Sequence, residues 1–236
     1  MALILHIETA SPVCSVALAN DGQLIGLKES SEEKAHSSRL TVMIEEMANE
    51  AGWRFDQLDA ISLSLGPGSY TGLRIGTSIA KGIAYGLSIP IIGIPTLTAL
   101  ANGFITNRSD SNNKLNNNSL LCPMLDARRM EVYTALFDSR LAEIRPVEAL
   151  IIQEESFREL LDRQEVWFFG TGSGKVKGVI SHPNARFDPA FQLSAAYQTT
   201  LADSLFRRKE FLDTAYFEPH YLKEFLATIP KNKVLG

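Results

Sequence analysis

The sequence predicts an α/β protein of two related lobes, because one order of strands and helices occurs twice along the chain. Each half opens with three consecutive strands and continues with helices that alternate with further strands. A polar segment rich in Asn and Ser, residues 106–119, separates the halves. We predict an N-terminal lobe at 1–106, a linker or loop at 107–118 and a C-terminal lobe at 119–236. The terminal helix of the second lobe can return to the first.

The first lobe is predicted to begin with a meander of three antiparallel strands. Apolar runs occupy residues 2–7, 13–19 and 23–29. Asn-Asp-Gly at 20–22 lies between the last two runs and is a strong hairpin signal, since these residue types tolerate left-handed backbone. The meander is followed by a helix.

Apolar side chains at helical spacing predict that helix over about 36–51. They recur at i, i+3, i+4, i+7, i+8 and i+11 and form one stripe: Leu40, Met43, Ile44, Met47, Ala48 and Ala51. Gly52 supplies the stop.

A glycine-rich stretch, "LGPGSYTGLRIG" (65–76), joins a predicted strand at 60–65 to a predicted helix at 71–87. Glycine within a helix costs up to about 1 kcal/mol relative to Ala. That cost is tolerable where the missing side chain lets another element pack closely. A strand at 90–94 and a helix at 96–105 complete the lobe.

The second half repeats this order and thereby suggests the fold. Strands are predicted at 120–127, 130–138, 143–151 and 165–170, and helices at 154–162, 174–180 and 193–213. A strand meander followed by alternating helices and strands is the plan of the ribonuclease-H-like fold. Sugar kinases, actin and Hsp70-type ATPases use that fold in pairs. The predicted fold class is therefore two ribonuclease-H-like, actin-like (ASKHA) lobes, each a mixed sheet with helices.

The composition is that of an ordinary globular protein. The 236 residues are 45% hydrophobic and 21% charged, and the net charge of −4 argues against a free-standing nucleic-acid binder. Cys14 and Cys122 lie inside apolar runs and are predicted to be reduced, buried thiols. No segment approaches the roughly 18 apolar residues of a membrane span, and no signal peptide is evident. We expect a cytoplasmic protein with no membrane contact.

Two enzyme classes are tested by their required residues. A nuclease of this fold needs carboxylates at the ends of its first and fourth strands. Glu8 ends the first, but "SLGPGS" (64–69) ends the fourth without one. A metallopeptidase needs paired histidines, and the four histidines form no H-E-x-x-H motif. We therefore predict no metal site, while spacing leaves nucleophilic catalysis by Cys14 or Ser69 open.

A stand-alone ATP-binding enzyme of the actin or kinase type remains as the alternative function. Such an enzyme needs a phosphate loop in each lobe and an acidic residue for Mg²⁺. Asp126 occupies the acidic place in the second lobe, whereas "FFGTGSGK" (168–175) lacks the spacing of a P-loop. The nucleotide-binding candidates of the first lobe are Glu8, Thr9, Gly66, Gly68 and Ser69.

Long motifs of the first half closely resemble the TsaB (YeaZ) family. They are "ILHIETASPVCSVAL" and "GPGSYTGLRIGTSIAKGIAYGLSIPIIGIPTLTALA". The family habitually carries G-P-G-S-[FY]-T-G-[LI]-R-[IV]-G, which is matched at every position from Gly66 to Gly76. "DARRMEVYTALF" (126–137) and "EPHYLK" (218–223) resemble its second-lobe and C-terminal signatures. Glu8 stands where the family usually has Asp.

The resemblance implies a non-catalytic partner of TsaD in the formation of threonylcarbamoyladenosine beside the anticodon of tRNA. TsaD transfers the threonylcarbamoyl group, and the P-loop ATPase TsaE joins the pair. The chain would then have no catalytic residue and no cofactor of its own, with ATP or ADP bound in the complex. It would meet tRNA indirectly and form a homodimer when TsaD is absent. A glycoprotease-like peptidase, the function of older descriptions, is a weaker alternative.

The resemblance also implies an interface. Helices 36–51 and 71–87 would face the matching pair on TsaD or on a second copy and form a four-helix bundle. The predicted interface residues are Leu40, Met43, Ile44, Met47, Gly72, Arg74, Ile75, Gly76, Ile79 and Ile83. Arg74 lies in the first turn of its helix, an unfavourable place for a cation, and this suggests an anionic partner outside the chain. From pattern alone, both apolar stripes could instead cover the sheet of their own lobe.

Overall fold

A computed structural model describes residues 1–32, 35–109 and 115–223. Its first half forms a five-stranded mixed sheet. The strands are β1 (Leu3–Glu8), β2 (Cys14–Asn20), β3 (Gln23–Ser30), β4 (Ala60–Gly66) and β5 (Ile91–Pro95). Their order is β3-β2-β1-β4-β5. Strand β2 is antiparallel to β1 and β3, and β4 is parallel to β1 and β5. The predicted hairpin turn is present, with Asp21 and Gly22 at positive φ.

The second half forms another sheet with the same plan. Its strands are β6 (Leu120–Asp126), β7 (Glu131–Phe137), β8 (Glu143–Ile151), β9 (Val166–Phe169) and β10 (Ala185–Asp188). Their order is β10-β9-β6-β7-β8. Numbered within its own half, each sheet therefore has the order third, second, first, fourth, fifth. The prediction of two α/β lobes of ribonuclease-H-like plan is confirmed, although the short β10 was not predicted.

Seven α-helices are formed within the described ranges. They are α1 (Ala35–Ser38), α2 (Leu40–Ala51), α3 (Tyr70–Leu87), α4 (Thr96–Ser109), α5 (Arg158–Leu161), α6 (Ser173–Val176) and α7 (Thr199–Arg207). Since α4 continues to Ser109, residues 107–109 of the predicted linker are helical. Residues 110–114 of that linker lie outside the described residues.

The helices of the second half are shorter than predicted. The predicted helix at 154–162 is reduced to α5, and that at 174–180 to α6. The long helix predicted at 193–213 is a 3-10 turn (Ala195–Gln198) followed by α7. It stops because Lys209 has left-handed backbone and Leu212 instead donates its N–H to the carbonyl of Ile91 at 2.8 Å.

Two helices cross from one half of the chain to the other. The α4 helix packs against β6, and the Phe104 ring stacks on Phe169 with centroids 3.9 Å apart. In return, α7 packs against β1 and β5. One apolar core therefore contains residues of both halves, among them Ile92, Leu121 and Ala202. The residue limits assigned to the two lobes stay a prediction.

A search of the helices in the described ranges found none long and apolar enough to cross a membrane. Cytoplasmic localisation stays a prediction.

Candidate partner-binding surface

The glycine-rich loop joins the end of β4 to the start of α3. The Gly66–Pro67 peptide bond is cis. The Ser69 hydroxyl caps α3 by accepting the N–H of Gly72 at 3.2 Å, and the Ser69 N–H donates to the carbonyl of Ala10 at 2.7 Å. The loop is thus bonded to the turn between β1 and β2.

Glycines of this loop and of the first turns of α3 allow that turn to approach closely. A Cβ atom on Gly68 would lie 2.5 Å from the carbonyl oxygen of Ala10. Cβ atoms on Gly72 and Gly76 would overlap the backbone and the hydroxyl of Thr9. The prediction that Gly72 and Gly76 contact a partner is therefore corrected: their missing side chains make room for Thr9 of the same chain.

Glu8, the acidic residue at the end of β1, is fully buried in a polar cluster. Its Oε1 accepts the N–H of Ala10 at 2.7 Å. Its Oε2 accepts the Ser64 hydroxyl and the Gln198 amide, the latter at 3.2 Å. Burial raises the pKa of Glu8 to about 7, although these hydrogen bonds act in the opposite direction.

Gln198 extends this cluster to a buried histidine. The Ser62 hydroxyl donates to Gln198 Oε1 at 2.7 Å and lies 2.6 Å from His6 Nδ1. His6 is fully buried, and burial lowers its pKa to about 3, so the ring is neutral. Sequence analysis missed Gln198, since a polar residue within a predicted helix gives no signal of burial.

These contacts show that Glu8 and Thr9 lie in the interior, and nucleotide binding by the first lobe stays a prediction. The residues concerned are Glu8, Thr9, Gly66, Gly68 and Ser69. Glu8 and Thr9 are buried, and the acceptor oxygens of Glu8 are used within the chain. The backbone of His220 lies where a side chain on Gly66 would be. The loop therefore serves close packing, and no described group of three His, Cys, Asp or Glu is arranged to hold a metal ion.

The apolar stripe of α2 also belongs to the chain's own core. Leu40, Met43, Ile44 and Met47 are each only 1–2% exposed. They pack in one cluster with side chains of β1 and β2. The prediction that these four residues form a partner interface is corrected, because side chains that cover their own sheet cannot also contact a partner.

The outward face of α3 is the exposed helical surface that remains of the predicted interface. Arg74, Ser78, Gly82, Tyr85 and Gly86 are exposed along it, and Tyr85 is 85% exposed. A Cβ atom on Gly82 or Gly86 would meet nothing within 4 Å. No packing inside the described chain explains these two glycines, which weaken the helix by about 1 kcal/mol each.

Three isoleucines of the predicted interface flank this face. Ile75, Ile79 and Ile83 are half-buried, with part of each side chain packed against the first lobe's core. We define the α3 face as residues 74, 75, 78, 79, 82, 83, 85 and 86. It combines small residues with partly exposed apolar ones, which permits a second helix to approach closely.

Arg74 is accommodated by aromatic residues of its own chain. Its guanidinium lies 4.3 Å from the centre of the Tyr70 ring, and a side-chain hydrogen bond with Tyr221 raises the pKa of Arg74. Tyr70 and Tyr221 are themselves in contact, with ring centroids 4.8 Å apart. Contacts within the chain thus offset the unfavourable position of Arg74, and an anionic partner outside the chain stays a prediction.

The C-terminal segment 213–223 lies along α3 and was not predicted to do so. Lys81 Nζ donates to the carbonyl of Phe217 at 2.8 Å and lies 4.4 Å from the centre of its ring. His220 donates its N–H to the carbonyl of Leu65 at 2.6 Å. The segment therefore covers the glycine-rich loop and contacts the α3 face at Arg74, while Ser78, Gly82, Tyr85 and Gly86 stay exposed among the described residues.

Comparison with known proteins places this geometry in a family. Residues 26–210 match the model of the family described as "TsaD: tRNA N6-adenosine threonylcarbamoyltransferase". The chain is 30% identical over 182 residues to the tRNA threonylcarbamoyladenosine biosynthesis protein TsaB of Bacillus subtilis, covering 75% of this chain and 74% of that one. The chain belongs to the TsaB family.

Other relatives extend the match to nearly the whole chain. The TsaB protein of Escherichia coli is 29% identical over 234 residues, 95% of this chain and 96% of its own. A solved structure described as YeaZ from Pseudomonas aeruginosa superposes with a TM-score of 0.78 at 26% identity, covering 94% of this chain and all of that one. The family resemblance identified from the motifs is thereby confirmed.

Proposed function

We propose that the chain is a subunit of the complex that forms threonylcarbamoyladenosine in tRNA, and that it acts by binding TsaD. Relatives in Escherichia coli and Bacillus subtilis are named for biosynthesis of this modified nucleoside. The matching family model is that of the threonylcarbamoyltransferase TsaD. These names supply the reaction to which the chain contributes.

The α3 face is the observation that carries the binding role. Its glycines at 82 and 86 have no packing partner within the described chain, and Tyr85 beside them is 85% exposed. Helices whose contact residues are small can pack at short interaxial distance. A helix of TsaD packed on this face would bury Tyr85 and the exposed parts of Ile79 and Ile83, which supplies the apolar core of an interface.

The surroundings of Glu8 support a role without catalysis. The carboxyl is fully buried, and its Oε2 is hydrogen-bonded to Ser64 and Gln198. General acid or base groups must come within hydrogen-bond reach of a substrate. Catalysis is therefore assigned to TsaD.

The wider assembly follows from the same surface. A face that accepts a helix of a related protein also fits a second copy of this chain, so we propose a homodimer where TsaD is absent. We propose that TsaE joins the pair, with ATP or ADP bound in the complex and tRNA held mainly by the partners.

Reconstitution tests the proposed function. TsaD and TsaE of the same organism are supplied with threonylcarbamoyl-AMP and a tRNA transcript, with this chain present or omitted, and modified nucleoside is quantified. We expect modification to depend on the chain. Undiminished modification in its absence would refute the partner role.

A catalytic control separates the partner role from the alternative ATP-binding enzyme. The Glu8→Gln variant keeps a hydrogen-bonding group of the same shape but removes the carboxylate. We expect the variant to support tRNA modification as well as the wild-type chain does. An ATPase rate of the isolated chain that Glu8→Gln abolishes would instead favour the stand-alone enzyme.

A further inference from the structure

The turn between β6 and β7 presents two adjacent arginines in an unusual backbone conformation. Arg128 and Arg129 have φ of 70° and 51°, in the left-handed region that residues with a Cβ atom rarely adopt. The hairpin turn between β2 and β3 meets the same requirement with Asp21 and Gly22. Two arginines at left-handed positions indicate that their side chains are needed where the turn places them.

The turn is held in shape by a lysine from the neighbouring α6. Lys175 Nζ donates to the carbonyls of Arg129 and Glu131 at 2.8 and 2.5 Å. It also pairs with Asp126 Oδ1 at 2.6 Å. The Arg128 N–H donates to the same Asp126 oxygen at 2.7 Å. These bonds fix the backbone and leave both arginine side chains exposed.

The acidic residues beside the turn are neutralised by lysines rather than by the arginines. Asp126 pairs with Lys175, and Glu131 pairs with Lys223 of the C-terminal segment. In the described part of the chain, neither Arg128 nor Arg129 forms an ion pair. Within the described residues, the turn therefore presents two exposed guanidinium groups that are in no ion pair, although Arg128 is near enough to Asp126 to help lower the pKa of that carboxyl. They lie on a chain whose net charge is −4.

We propose that Arg128 and Arg129 contact the phosphodiester backbone of RNA. A guanidinium donates two parallel hydrogen bonds to a phosphate, so arginine suits this contact better than lysine. An acidic protein repels RNA over most of its surface, and its contacts must be confined to local positive sites. The choice of RNA over an acidic protein rests on the proposed function, which places a tRNA in the complex.

The salt dependence of RNA binding tests this proposal. The complex of the full chain with TsaD is titrated onto a fluorescent tRNA transcript at several KCl concentrations. The charge is removed by an R128G/R129G double variant, since glycine adopts left-handed φ without strain. We expect affinity to fall roughly tenfold at low salt, and the slope of log Kd against log salt to fall by about 2, one for each phosphate contact.

Two further variants make the result specific. R128K/R129K keeps both charges, and we expect it to retain most of the slope. R140A/R163A removes two exposed arginines from the β7–β8 turn and the loop before β9, at the other end of the same strands, and we expect it to bind RNA as the wild-type chain does. An unchanged slope in R128G/R129G, or an equal loss in R140A/R163A, would overturn the proposal.

A protein ligand would give a different result. If R128G/R129G weakened binding to TsaD while the saturated complex kept its RNA affinity, the arginines would contact protein and the RNA proposal would be wrong. The assay measures RNA binding rather than modification. A negative result in the RNA-binding assay would therefore not bear on the proposed function, which the reconstitution with and without this chain tests separately.

Discussion

At the scale of single residues, Glu8 and His6 oppose each other in their effect on stability. The folded chain raises the pKa of Glu8 from 4.5 to about 7, so stability from Glu8 falls as pH rises across that interval. It lowers the pKa of His6 from 6.5 to about 3, so stability from His6 is complete above pH 6.5 and falls as pH decreases. Between pH 4.5 and 6.5 the two slopes cancel.

Glu8→Gln should therefore expose the pH dependence of His6. We expect the free energy of unfolding of the variant to rise with pH between 4.5 and 6.5, by about 1.4 kcal/mol per pH unit from His6, which takes up a proton on unfolding. Burial also lowers the pKa of His36, which adds to the slope in both chains. The slope of the wild-type chain should be smaller than that of the variant by about one proton's worth over that range. Urea unfolding at half-unit pH steps measures this, and parallel curves for the two chains would contradict it.

Two glycines of α3 are expected to respond oppositely to the same substitution. Gly72→Ala should destabilise the chain by about 1–3 kcal/mol, because the new methyl group overlaps the backbone of Thr9. Gly82→Ala should stabilise it by about 0.5–1 kcal/mol, since its Cβ meets no atom and alanine favours helix. Thermal unfolding of both variants checks this. Equal effects would mean that the two positions are not distinguished by packing.

At the scale of secondary-structure elements, α2 is a core helix, whereas one side of α3 is exposed in the part of the chain that the structure describes. Met43 is 2% exposed and packs on the sheet. We expect Met43→Ala to lower the free energy of unfolding by about 2–4 kcal/mol, without a separate effect on partner affinity once the chain is folded. Urea unfolding and partner titration distinguish these effects. A Met43→Ala variant that was fully stable but no longer bound TsaD would show that α2 is part of the interface.

Periodicity predicted the elements of the first lobe but not what covers them. The apolar stripe of α2 has the same spacing whether it packs on a sheet or on a partner, so the sequence alone could not place Met43 in the core. The sequence likewise does not distinguish the exposed Gly82 from the close-packed Gly72, since both are glycines within the same predicted helix. Their roles depend on the position of Thr9, which only the tertiary structure supplies.

The second half was harder to predict because its elements are short. The apolar pattern over 193–213 continues past Arg207, where the chain turns and Leu212 bonds to Ile91 instead. Gln198 is buried only because the 3-10 turn that carries it packs on the sheet of the other half. Long-range contacts of this kind leave no local periodicity.

At the scale of the whole molecule, the two halves are joined at several places besides the linker. Gln198 reaches the carbonyl of Ile7 and the carboxyl of Glu8. The C-terminal segment bonds to the first half at Leu65 and to the second at Glu131. The glycine-rich loop is thereby enclosed, while most of the α3 face and the arginine turn are exposed among the described residues.

The affinity of the chain for TsaD tests this account most directly. Gly82→Leu places a bulky side chain on the α3 face, where the described chain leaves open space. Gly178→Leu is the matched control, because that glycine is exposed on the second lobe and its Cβ would make only an ordinary contact at 3.7 Å. Calorimetric titration with TsaD gives Kd for each variant. We predict that Gly82→Leu weakens binding at least about tenfold, roughly 1.4 kcal/mol, and that Gly178→Leu does not; unchanged affinity of a folded Gly82→Leu chain would contradict the account.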